Sequence, residues 1–301
     1  MHPRYSDQAR TGSLQNRIEA ALELLAPCRL CPRQCGVDRL SGEKGFCRTR
    51  RHARVASYGP HFGEERPLVG TGGSGTIFFS GCNLGCIFCQ NHDISHAETG
   101  TEVTPDQLAR IMVELQERGC HNINFVTPTH VAPQILEALP HAIAAGLRVP
   151  LVYNCGGYES IETLHLLGNV IDIYMPDAKY ADGDVAAELS DARDYPTRMF
   201  EAVDEMHRQV GDLRINPAGI AVRGVLVRHL VLPDGKAGTP AIMAFLAGLS
   251  TQTYVNIMDQ YRPCYQAHTC EAISRRPTRQ EYAEAIDAAI TAGLQRLDGR
   301  I

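Results

Sequence analysis

The chain has 301 residues, 44% of them apolar and 6% aromatic with no Trp, and a formal net charge of −5 from 29 basic and 34 acidic side chains. This composition excludes a disordered chain, a surface basic throughout for nucleic-acid phosphates and an aromatic platform for bases or sugars. No run reaches the roughly 18 apolar residues of a membrane helix, and eleven cysteines are too sparse for a disulfide scaffold in a chain of this length.

The first residues are polar and lack the apolar core of a secretory signal. The thiols are therefore expected to meet a reducing cytoplasm, where clustered cysteines bind metal more often than they pair. Residues 1–14 read as a frayed tail. Apolar spacing over 15–26 (QNRIEAALELLA) predicts a helix that stops before Pro27. From Cys28 to about Gly63 periodicity is weak, and such a stretch builds little apolar core without a metal to hold it. Residues 1–66 are expected to form a small Cys-rich metal-binding module, and 67–301 a second domain. In the module Cys28, Cys31, Cys35 and Cys47 follow CxxCxxxC and then, after eleven residues, a fourth cysteine. Four thiolates close either a tetrahedral zinc site or a second, fully ligated iron–sulfur cluster. The third cysteine is unusually placed for zinc, and the cluster is favoured.

From about residue 74 strands and helices alternate. GTIFFSG (75–81) reads as a buried strand, and strands follow at 121–126, 149–153, 170–175, 224–232 and 253–258. Helices are predicted over 104–118, 131–145, 158–167, 196–210, 239–249 and 278–293, the first opened by Thr104 as cap and Pro105 at its first position. Six βα units in series imply an α/β fold with a parallel sheet and right-handed crossovers. Six strands are too few for a closed eight-stranded barrel, so an open or partial barrel is expected. Its chemistry belongs at the C-terminal ends of the strands.

Directly after the first of these strands stands GCNLGCIFCQN, with Cys82, Cys86 and Cys89 spaced CxxxCxxC. Three thiolates on one short loop hold three irons of a cubane and leave the fourth iron open for another ligand. Gly81 and Gly85 let the backbone wrap closely. The competing readings are a zinc site with a distant fourth ligand and three merely buried cysteines.

CxxxCxxC with Phe88 before its last cysteine, placed after a first barrel strand, resembles the radical S-adenosylmethionine (SAM) superfamily. CRLCPRQCGVDR, INFVTPTHVAPQILEAL, YNCGGYES, YMPDAKYAD, EMHRQVG, VRGVLVRHLVLP and VNIMDQYRP resemble one branch of it, the uncharacterised homologues of the pyruvate formate-lyase activating enzyme. The resemblance implies a partial (β/α)6 barrel, an oxidoreductase that binds a [4Fe–4S] cluster and SAM, and a 5′-deoxyadenosyl radical that abstracts a hydrogen atom. It implies an electron donor such as flavodoxin or ferredoxin, and no nucleic-acid or membrane partner. The substrate is expected to be either a glycyl-radical enzyme, which the chain would activate, or a small molecule or peptide modified directly. A metal-cluster scaffold without catalysis is the reading from another class, and the missing Gly-Gly-Glu segment of many superfamily members is its support.

Site residues follow from the same resemblance. Thr127 and Thr129 stand where Gly-Gly-Glu would hold the SAM amino group, and Asn154 stands where a related Asn holds the ribose or carboxylate. Asp177 and Lys179 resemble the Asp-x-Lys element of activases, with an ordinary ion pair as the alternative. Arg228 and His229 lie inside the fifth strand, His229 as a binding candidate, and Leu230 to Pro233 would wall the adenine. Gln260 and Tyr261 would face the same mouth. Cys264 is the candidate thiol for returning a hydrogen atom to a substrate radical, ahead of Cys270. Cys120 and Cys155 read as small buried residues.

Overall fold

The computed structural model describes residues 3–299. Residues 1 and 2 of the expected tail lie outside that range, but the rest of it is not frayed. Helices α1 (Arg4–Arg10) and α2 (Ser13–Glu23) pack on the body of the protein. The Arg4 backbone N–H donates to Asp172 at 3.0 Å, and the Tyr5 hydroxyl donates to the Val149 carbonyl at 2.9 Å with its ring fully buried. Two single-residue anchors hold a segment whose composition is polar, which is why periodicity missed it.

Strand β1 (Ala53–His61) was not expected either. It contains Gly59 and Pro60, and its register shifts between Val55 and Ser57, so its burial does not alternate. The chain continues through α3 (Arg66–Val69), β2 (Ser74–Phe79), α4 (His92–Ser95) and β3 (Thr101–Val103) to α5 (Pro105–Glu117). Helix α5 starts as expected: the Thr104 hydroxyl accepts from Gln107 N–H while the Gln107 side chain accepts from Thr104 N–H. Such a capping box satisfies two orphan donors and stabilises the helix by about 1 kcal/mol.

Then follow β4 (Ile123–Val126), α6 (Ala132–Ala144), β5 (Leu151–Cys155), α7 (Ile161–Leu167), β6 (Ile173–Pro176), α8 (Gly183–Ser190) and α9 (Tyr195–Val210). The C-terminal third holds β7 (Arg214–Ile215), β8 (Ala221–Leu230), α10 (Thr239–Leu249), β9 (Tyr254–Met258), α11 (Arg279–Ala292) and β10 (Arg296–Leu297). The order across the sheet is β10-β9-β8-β6-β5-β4-β2-β1-β3. The six expected strands, β2, β4, β5, β6, β8 and β9, run parallel in sequence order. Antiparallel β1 extends the β2 edge and two-residue β10 extends the other. The result is an α/β fold with an open parallel sheet, a partial barrel.

Register decides which residues meet. Phe78, Val126, Asn154 and Met175 stand opposite one another across β2, β4, β5 and β6, and two residues beyond Met175, Asp177 pairs with Arg228, which pairs with Asn256 on β9. Partners in register, and residues two apart on one strand, share a face, so Asn154, Asp177, Arg228 and Asn256 form a polar group on the inner face at the C-terminal strand ends. Towards the N-terminal ends the inner face is apolar: Leu68 of α3 packs with Val152, Ile173 and Leu226. The outer face carries Phe125, Tyr153 and Val227 against the helices.

A boundary at residue 66 does not separate two cores. Tyr5, Leu14, Ile18 and Val55 belong to the same core as the barrel helices, whereas Leu24, Leu25, Cys28 and Leu30 form a small cluster of their own.

Candidate active site

The chain leaves β2 through Gly81, whose φ is +86° and where a Cβ would lie 2.4 Å from the Cys47 carbonyl oxygen. Only glycine fits both the left-handed backbone and that approach. The loop is then tied to the end of α8, an element that sequence reasoning missed. Gly85 N–H donates to the Ser190 carbonyl and Ile87 N–H to that of Leu189. Helix α8 starts at a glycine and spans eight residues, too short for a clear periodic signal; its cap is Asp182, which accepts from the N–H groups of Asp184 and Val185.

Cys82, Cys86 and Cys89 line a cavity of about 280 Å³ at the C-terminal ends of the strands. Each thiol has a polar neighbour: Leu84 N–H donates to Cys82 Sγ at 3.4 Å, the Ser190 hydroxyl to Cys86 Sγ at 2.9 Å, and the Ser95 hydroxyl lies 3.1 Å from Cys89 Sγ. Burial pushes the thiols of Cys82 and Cys86 up, with Cys86 adding to the effect on Cys82 and Lys179 opposing it at Cys86. A metal is what would deprotonate them. Three free thiols on one loop can hold three corners of a cubane and leave the fourth open.

Asn154, Asp177, Lys179 and Arg228 line the same cavity. Lys179 Nζ is 2.6 Å from Asp177 Oδ2, and Arg228 donates through Nε to Asp177 Oδ1 at 2.8 Å and through Nη2 to Asn154 Oδ1 at 2.7 Å. Asp177 and Lys179 thus meet each other first, the ion-pair arrangement weighed above. Burial works against both charges. Arg228 and Lys179 nevertheless hold the Asp177 carboxyl below its ordinary range, and Asp177 holds Lys179 above its own. With Oδ1 of Asn154 occupied, its amide NH2 is what remains to offer a ligand in the cavity. Behind Arg228 stand two carboxylates that sequence reasoning did not single out. Glu64 is 3.7 Å from Nη1, and Glu65 accepts from Asn256 at 2.9 Å. Burial raises the Glu64 carboxyl against the pull of Arg228.

Thr127, Phe88, Leu230 and Gln260 line the cavity, as do Cys155 and Met258. Phe88 is held edge-on by Tyr180 and Tyr261, at 6.3 and 5.7 Å between ring centroids. Four expectations are corrected. Thr129 is buried away from the cavity and donates to Glu159 at 2.6 Å. His229 points to the outer face, one residue out of phase with Arg228. Its Nδ1 lies 2.7 Å from the Ala178 carbonyl and its Nε2 2.8 Å from the Thr239 hydroxyl. Burial lowers its pKa to about 4 and leaves it a neutral, satisfied core histidine. Tyr261 is buried beneath Phe88 and donates to the Ile273 carbonyl, so it does not reach the mouth. Of the expected apolar wall only Leu230 lines the cavity.

Cys264 is not among the cavity-lining residues, and Cys270 donates to Glu188 at 3.3 Å. Beside the site, Glu159 is buried and accepts from Thr129 and, at 3.0 Å, from Tyr153; burial raises its carboxyl to about 7.

The four N-terminal cysteines come together behind the same loop, around a void of about 10 Å³ that Arg39, Asn83 and His130 also line. Arg33 joins the two regions, donating to the Asn83 carbonyl at 2.9 Å with its guanidinium 3.7 Å from the centre of the Phe46 ring.

The family model of the radical SAM superfamily matches residues 76–234, more than half the chain. The chain belongs to the radical SAM superfamily. Membership implies a [4Fe–4S] cluster and SAM, which the three free thiols and the cavity they line can accommodate. An uncharacterised protein of Methanocaldococcus jannaschii, MJ0674, is 32% identical over 286 residues, covering 92% of this chain and 78% of that one. Among solved structures, HydG, a maturase of the [FeFe]-hydrogenase, superposes with a TM-score of 0.52 at 14% identity over 74% of this chain and 51% of that one. SuiB of Streptococcus suis, bound to S-adenosylmethionine, gives a TM-score of 0.47 at 12% identity over 72% of this chain and 47% of that one. The likeness to HydG is one of fold, and the chain spans about half the length of these solved structures. Among the described residues no helix is long and apolar enough to cross a membrane.

Proposed function

We propose that this radical SAM protein is an enzyme that holds three irons of its cluster on Cys82, Cys86 and Cys89 and binds SAM in the cavity they line. The observation that carries the reading is that these three free thiols line one cavity together with the linked Asn154, Arg228, Asp177 and Lys179. When bound, the cluster and SAM supply one-electron cleavage of a carbon–sulfur bond and a 5′-deoxyadenosyl radical that takes a hydrogen atom from substrate.

The protein's own part is positioning and exclusion of water. Ser190 donates to the Cys86 sulfur, which favours its thiolate. Arg228 fixes the Asn154 amide so that its N–H groups face a ligand carboxylate or ribose oxygen, and Thr127 offers a further polar contact at the strand end. Phe88, Leu84, Leu230 and Met258 form the apolar side of the cavity, where exclusion of water protects a radical from side reactions. The one-electron donor is a small reduced protein of the flavodoxin or ferredoxin type. Eleven free cysteines suit a reducing cytoplasm.

The Asp-x-Lys element of Asp177 and Lys179 resembles that of glycyl-radical activases, which favours an activase. The closed ion pairs of that element with Arg228, lining a cavity of limited volume, favour a polar small molecule or a peptide side chain as direct substrate. Two measurements test the proposal. The anaerobically reconstituted chain, given dithionite and SAM, should yield 5′-deoxyadenosine by mass spectrometry, and Cys82→Ala should yield none. A fully loaded cluster that makes no deoxyadenosine, and whose electron paramagnetic resonance spectrum SAM does not perturb, would return the chain to a non-catalytic scaffold. A glycine-centred radical on an added partner protein would identify an activase.

A further inference from the structure

The void behind the cluster loop carries an observation that the SAM site does not use. Arg39 is 1% exposed. Its Nε and Nη2 both donate to the Arg50 carbonyl, at 3.1 and 2.9 Å, and its Nη1 has no partner. A guanidinium cannot be deprotonated in a protein, and a buried one bonded only to a neutral carbonyl is costly unless a negative charge faces it. What shares its void is a set of four cysteines, Cys28, Cys31, Cys35 and Cys47. Gly45 completes the cradle: a Cβ there would lie 2.4 Å from Cys35 Sγ.

We propose that Cys28, Cys31, Cys35 and Cys47 close on a thiophilic metal as a four-thiolate centre of net negative charge, and that Arg39 is its buried counter-cation. Neutral thiols would leave Arg39 uncompensated, whereas four thiolates outweigh the charge of the metal they bind and supply the anion its Nη1 lacks. Closing the centre takes an inward turn of the thiols, since as they stand they do not converge on a single ion. The loss of four thiol protons on metal binding balances the charge.

The centre braces the SAM-site loop from behind. The loop turns Gly81, Cys82 and Leu84 to the cavity and Asn83 to the void. Arg33 reaches across to the Asn83 carbonyl, and Gly81 sits against Cys47. The inference does not depend on SAM cleavage.

The test uses the full chain carrying Cys82→Ala, Cys86→Ala and Cys89→Ala, which removes the ligands of the other site. Purified anaerobically with iron, sulfide and zinc supplied, it should retain metal and lose it on adding Cys31→Ser. Iron with sulfide identifies a cluster and zinc alone a single ion; either supports the centre. Metal release to a chelator should be about 10- to 100-fold faster with Arg39→Met, the scale of one hydrogen bond to a charged group, and close to the parent rate with Arg39→Lys. A chain without metal, or release unchanged by Arg39→Met, would overturn the inference. Should Arg39→Met fail to fold by circular dichroism, Arg39→Gln takes its place, with the same two outcomes for release. A wild-type chain, fully loaded at both sites, that keeps this metal but never cleaves SAM would refute the function proposed above and leave the centre standing.

Discussion

Glu159→Gln isolates the energetic cost of one buried carboxyl beside the site. Glu159 accepts from Thr129 and Tyr153, and burial raises its carboxyl from an ordinary 4.5 to about 7. Each pH unit of that rise corresponds to 1.36 kcal/mol, so the ionised form costs about 3 kcal/mol of stability in full. The folded pKa lies above the unfolded one, so the carboxyl's contribution is intact below about pH 4.5 and is lost as pH rises through about 7. Gln keeps the shape and an acceptor for one of the two donors, and it cannot ionise. Urea denaturation of the metal-free chain under reducing conditions, at about pH 5.5 and about pH 8, reads the difference directly. The wild type should lose about 2 kcal/mol relative to Glu159→Gln between those pH values, by the same linkage. Parallel stability curves for the two proteins would show that Glu159 is ionised throughout, and the burial argument would fail with it.

Two further changes probe the polar group and the floor beneath it. Arg228→Met removes one of the two cationic partners of Asp177 and the bond to Asn154; with both ion-pair side chains 19% exposed, the loss should be about 2–4 kcal/mol, at or below the range for breaking a fully buried pair. Adding Asp177→Asn should recover part of it in denaturant titrations, and strictly additive losses would mean that the two charges do not interact. Leu68→Ala opens a hole among Val152, Ile173 and Leu226 and should cost about 2–5 kcal/mol. Chemical denaturation checks it, and a loss below about 1 kcal/mol would mean that α3 does not plug the sheet.

Much of the candidate site was legible because its signals are short-range. Cys82, Cys86 and Cys89 sit within eight residues, and a strand-to-loop transition placed them at a strand end. Asn154, Asp177 and Lys179 came from the family resemblance, and their places after apolar strands agree with it, since a parallel sheet has its mouth there. Thr127 and Thr129 were indistinguishable by sequence, and only the turn between them sends one to the cavity and the other to Glu159. Arg228 and His229 posed the same problem within a strand. Alternation says that they face opposite ways, but which one faces in is fixed by register with Asp177 and Asn256.

Six parallel strands, most of the helices between them and the two cysteine groups could be read from the sequence alone, because periodicity, capping and motif spacing act over a few residues; α8 could not. The tertiary structure alone decided the partners. Arg228 meets Asp177 across 51 positions and Glu64 from the far side of the chain, Tyr5 is anchored at Val149, and Arg39 comes to share a void with His130. Pairings between distant residues depend on strand register and on how helices fold back over the sheet. Those are settled only when the whole core packs at once, and so no local pattern carries them.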